Sequence, residues 1–64
     1  MKTIAVQSYN ELEKLTKAAK PESEKAVLAV LSVVAPKLTG YDVTASAEQK
    51  LRVLAAWRKK LAAS

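Results

Sequence analysis

Ten consecutive residues in the middle of the chain, 26–35, read A-V-L-A-V-L-S-V-V-A, and Ser32 is the one polar side chain among them. A run of this kind must be withdrawn from water, and a chain of 64 residues has little else with which to cover it. A domain this short buries only about 60% of the surface its unfolded chain exposes. Burying a Val or Leu side chain contributes roughly 1.5–3 kcal/mol, against about 1.5 kcal/mol for ordering each residue. The large apolar residues are mostly Val and Leu, with no Phe and a single Trp, Trp57. Disulfides are excluded because there is no Cys, and with no His either a zinc or other transition-metal staple lacks its usual sulfur and nitrogen ligands. A homo-oligomer or a docked protein partner is the remaining way to shield the run.

The rest of the chain reads as helices around that segment. Residues 1–7 predict a short extended arm, a possible strand, in which Ile4 and Val6 alternate with Thr3, Ala5 and Gln7. The first helix is expected over 8–20, opened by a capping box at Ser8-Tyr9-Asn10-Glu11 and carrying a Leu12, Leu15, Thr16, Ala19 stripe. Pro21 ends it and starts a second helix over 21–37, with Glu22 and Glu24 at the positive end of its dipole. Val27, Val30, Leu31, Val34 and Leu38 share a broad face, while Ala26, Ala29, Ser32 and Val33 leave the opposite side small and uncharged. That pattern belongs to a helix covered on two sides. A loop over 38–45, punctuated by Gly40, leads to a third helix over 46–63, capped at Ser46-Ala47-Glu48-Gln49. Leu51, Leu54, Ala55 and Leu61 face its core side, widened by Val53 and Trp57.

Charge is concentrated at one end. Residues 1–45 hold six Lys against five acids, a net of +1, whereas residues 46–64 hold Lys50, Arg52, Arg58, Lys59 and Lys60 against Glu48, a net of +4. Those five cations on the third helix predict contacts to the phosphates of DNA or RNA, tolerant of sequence and weakened by salt. Arg58 falls inside the apolar sector of the wheel, where a long cation snorkels outward or meets a partner. Cations near a helix C-terminus also complement the dipole without any ligand.

A tight helix-turn-helix is excluded by the long connection from Pro36 to Ala45. Over residues 2–36 the order of strand, helix and helix in an obligate dimer resembles the ribbon-helix-helix repressors, whose strands enter the major groove. The resemblance places Thr3, Ala5 and Gln7 toward the groove, and Ile4 and Val6 toward the core. Ala5 has no hydrogen-bonding group there, and Glu22 and Glu24 stand where a phosphate would approach.

Catalysis lacks its usual means: without His or Cys the common general bases and thiol nucleophiles are missing. Glu11, Glu13, Glu22 and Glu24 read as helix-surface charges, and Ser8, Thr44 and Ser46 as caps or turn residues. No cofactor or small-molecule substrate is implied. The central run is about half the ~20 residues that cross a bilayer, and the N-terminus is too short in apolar residues for a signal peptide. A membrane-surface role competes with the core for the same apolar faces.

The expectation is therefore an all-α, three-helix bundle-like unit with an extended N-terminal arm, dimeric, soluble and cytoplasmic. It would act without enzymatic activity as a nucleic-acid-associated regulator through Lys50, Arg52, Arg58, Lys59 and Lys60. The alternative is a protein-interaction or assembly module, an adaptor or inhibitor, docking through Ala29, Ser32 and Val33 on the second helix or through the Trp57 region.

Overall fold

A computed structural model describes residues 2–63, excluding the side chain of Lys2. It is all-helical: α1 (Lys2–Ala18), α2 (Pro21–Val34) and α3 (Ala47–Ala63). The α1 helix packs against both of the others. Among the described residues no helix is long and apolar enough to cross a membrane.

The expected N-terminal arm is corrected. Residue 1 lies outside the described residues, and from Lys2 onward the chain is already helical. Ala5, Tyr9, Leu12 and Thr16 are all buried, spaced by four, three and four, which is the row of one helix face. A strand would have turned Ile4 and Val6 inward and Ala5 outward. The helix does the reverse, leaving Ile4 46% and Val6 36% exposed while Ala5 is buried. Ser8 consequently sits inside α1 and caps nothing at its start. With no strand among the described residues, the likeness to ribbon-helix-helix proteins lapses.

The turn from α1 to α2 is set by backbone chemistry. Ala19 has φ of 55°, its N–H donates to the Thr16 carbonyl, and the Lys20 N–H reaches back to the Leu15 carbonyl, both at 3.2 Å. This is a Schellman stop with alanine where glycine is usual. Lys20 takes φ −113° and ψ 80° ahead of Pro21, the extended geometry that a following proline imposes. Pro21 then occupies the first turn of α2, where its missing N–H costs nothing.

The α2 helix stops at Val34, sooner than residue 37. The Ala35 N–H makes the last bond, to the Leu31 carbonyl at 2.8 Å, and Pro36 has no N–H with which to continue. Gly40 takes φ of 101° in the connection, a conformation that L side chains resist. Asp42 Oδ1 then accepts from the Thr44 N–H at 2.8 Å and the Thr44 hydroxyl at 2.7 Å, which holds its carboxyl below the usual range. Ser46 caps α3 as expected, its Oγ accepting from the Gln49 N–H at 3.2 Å.

Tyr9, Leu12, Leu31, Leu54 and Trp57 form the core, with Val27, Leu28, Val34, Leu38, Leu51, Val53 and Leu61 packed around them. The connection crosses this core as a strap. The Trp57 Nε1–H donates to the Thr39 carbonyl at 2.9 Å, and the Tyr41 ring lies 5.9 Å from that of Trp57, tilted by 41°.

Candidate functional site

Beneath the strap lies a buried polar cluster to which every part of the fold contributes. Glu24, at the first turn of α2, is fully buried. Its Oε1 accepts from Lys50 Nζ of α3 at 2.8 Å and from the Tyr41 hydroxyl at 2.6 Å. Tyr41 Oη lies 2.6 Å from Thr16 Oγ1 of α1, which also donates to the Leu12 carbonyl at 2.8 Å. Since the single Tyr41 proton goes to Glu24, the Thr16 hydroxyl is the donor between those two residues, sharing its proton with the Leu12 carbonyl. Among the described residues Glu24 Oε2 has no hydrogen-bond partner.

Burial pushes the Glu24 carboxyl up, but the bonds from Lys50 and Tyr41 and the ammonium charge outweigh it, holding the group below its ordinary value. Burial and the Glu24 carboxylate push the Tyr41 phenol up to about 12. The cluster is an internal lock between α1, α2, α3 and the strap, closed to solvent at Glu24.

That lock changes the basic set. Lys50, expected to face phosphate, is 8% exposed and its charge is spent on Glu24. A cation paired inside the protein neutralises no phosphate and so releases none of the counterions condensed on a nucleic acid, which removes Lys50 from the surface site. The other four are exposed. Arg52 pairs with Glu48 one turn earlier, at 2.9 Å. Arg58 is exposed and emerges beside Tyr9 and Glu13 along a shallow α1–α3 groove of about 500 Å³ whose edge also includes Lys59. There the Tyr9 hydroxyl donates to Glu13 Oε2 at 3.4 Å. Burial and then Glu13 raise the Tyr9 phenol, opposed by the Arg58 charge. By helical spacing Arg52 and Lys59 share the outer face of α3, and Arg58, Lys59 and Lys60 ring its last turns.

The expected interface residues also divide. Trp57 is 2% exposed and belongs to the core, so its region presents little surface for docking. Ala29, Ser32 and Val33 are all exposed on α2. Val33 is 79% exposed and Val30 45%, and no charged side chain interrupts the helix from Ala26 to Val34. The Ser32 hydroxyl is satisfied on its own helix by the Ala29 carbonyl, at 2.7 Å. Val30, Ala26 and Val27 line one wall of a groove whose other wall is Gln7, Ser8 and Glu11 of α1.

Sequence reasoning placed Thr16 on the packed stripe of the first helix but missed its bond to Tyr41, and it missed the buried role of Glu24 and the inward role of Lys50. The signal was present in the spacing: Lys50 precedes Leu54 and Trp57 by four and seven residues, and Glu24 precedes Leu28 and Leu31 by the same steps. Each charge thus stands in the core row of its helix. No protein-family model, no curated protein and no solved structure matches this chain.

Proposed function

We propose that the protein is a small non-enzymatic interaction module whose outer α2 face docks on the apolar face of another polypeptide. The observation that carries this reading is Val33, 79% exposed at the end of an uncharged helix surface that continues through Ala29 and Ala26. Scattered exposed aliphatics are ordinary, whereas a contiguous apolar patch marks an interaction surface. Val30, nearly half exposed, extends the patch to the α2 wall of the α1–α2 groove, which it lines with Ala26 and Val27. The polar groups on it cost little to cover, because the Ser32 hydroxyl is already bonded.

The test places a photo-crosslinking side chain at position 33 and, separately, at position 59, in the cells that make the protein. A protein adduct from position 33 is expected. Absence of one there, with a nucleic-acid adduct from position 59, overturns the reading.

A second reading is favoured by the four exposed cations of α3, Arg52, Arg58, Lys59 and Lys60. They support a nucleic-acid-associated regulator binding phosphates in a salt-dependent way. Its test is retention on duplex DNA across a salt series, which Lys59→Glu with Lys60→Glu abolishes.

A further inference from the structure

We propose that the occupant of the α2 face is a second copy of this chain, with the two α2 helices antiparallel. The inference rests on the α2 face being an interface and names its partner.

Three features carry it. Glu22, Ala26, Ala29 and Val33 follow one another at steps of four, three and four, so they form a single straight seam along the exposed side of the helix. All four are exposed. The seam is graded in size, small at Ala26 and Ala29 and large at Val33. A copy laid antiparallel sets each Val33 on the other chain's alanines, whereas a parallel copy sets Val33 on Val33 and leaves the alanines facing each other. An isologous pair of this kind fills both ends with one geometry.

The charges at the two ends of the seam agree. Glu22 opens it, and Lys37 is exposed in the turn three residues beyond the other end of α2. Antiparallel copies bring Glu22 of each to the Lys37 end of the other, twice per dimer. Parallel copies would set like charge against like at both ends. The helix dipoles oppose one another in the antiparallel arrangement as well. Lys25 lies on the flank of α2 away from the α1–α2 groove and serves as a charge control.

Sedimentation equilibrium of the full chain tests the proposal, and Lys37→Glu is its diagnostic variant. That change lowers the net charge of +5, so general repulsion between copies falls and association would tighten if only overall charge mattered. The antiparallel pair requires the opposite: Lys37→Glu weakens dimerisation roughly two- to tenfold, as does Glu22→Lys, and the double swap restores it. Lys25→Glu does not weaken it. Val33→Asp converts the protein to a monomer that keeps its helical circular dichroism.

A wild-type chain that stays monomeric up to about 1 mM overturns the second copy as partner while leaving a different polypeptide on the α2 face. A dimer unmoved by the charge swaps overturns the antiparallel arrangement. A dimer unmoved by Val33→Asp forms through another surface and overturns this inference, whereas the interaction reading beneath it is overturned separately, by the lack of a protein adduct from position 33.

Discussion

Replacing Lys50 with methionine removes the cation held 2.8 Å from a fully buried Glu24. Methionine keeps the unbranched apolar stem and lacks only the terminal ammonium, so the loss is mainly one of charge and hydrogen bonding. Breaking a buried ion pair by deleting one partner costs about 3–5 kcal/mol, because the remaining charge is stranded away from water. A domain of this size has roughly 3–10 kcal/mol in all, so Lys50→Met brings the fold close to unfolding. Urea unfolding followed by fluorescence of the buried Trp57 and by circular dichroism measures the loss.

The pH dependence carries the sharper signature. In the native chain the folded Glu24 lies below its ordinary value, so its contribution is present above the unfolded carboxyl range and is lost as pH falls through the folded value. In Lys50→Met burial governs the carboxyl and raises it. The variant is then least handicapped in acid and loses stability as pH rises past the unfolded value. The double variant Glu24→Met with Lys50→Met recovers most of the loss, since replacing both members of a buried pair is often neutral or stabilising. Tyr41 then turns its proton to Thr16. If Lys50→Met unfolds at the native urea midpoint with the native pH slope, Lys50 is not Glu24's buried partner and the lock does not exist.

Three further consequences are open to direct measurement. Ala19→Gly relieves the left-handed backbone at φ 55° and raises stability by about 0.5–1 kcal/mol in thermal unfolding; a fall would mean the Schellman turn is misassigned. Tyr41, pushed up to about 12, gives a late step in a spectrophotometric tyrosine titration that Tyr41→Phe removes. Its stabilising neutral form is retained below the ordinary value of 10.0 and lost as pH climbs toward the folded one; both tyrosines ionising together at the ordinary value would contradict its bond to Glu24. Ser46→Ala deletes the acceptor for the Gln49 N–H and costs about 1 kcal/mol, whereas an unchanged melting temperature would show the cap to be idle.

Local chemistry was legible in the sequence where it acts within a few residues. The α3 cap at Ser46, the start of α2 at Pro21 and the stop near Pro36 all depend on neighbours along the chain. The N-terminal turn of α1 was not, because Ile4 and Val6 alternate like a strand while the actual buried residue is the small Ala5. Its place in the row with Tyr9, Leu12 and Thr16 shows only once the row is extended backward from the helix. Lys50 and Glu24 stand 26 residues apart, so spacing could turn each inward but could not pair them. Val33 was legible as an uncharged position on α2, and its degree of exposure needed the fold.

Methyl chemical shifts followed over a dilution series test most directly whether α2 is an interface between two copies of the chain. Ala26, Ala29, Val30 and Val33 should shift with protein concentration, while the methyls of Leu12 and Leu54, buried in the core, stay fixed. Shifts that leave the α2 methyls unmoved and gather at Ala62 and Ala63, beside the exposed cations of α3, would contradict the account.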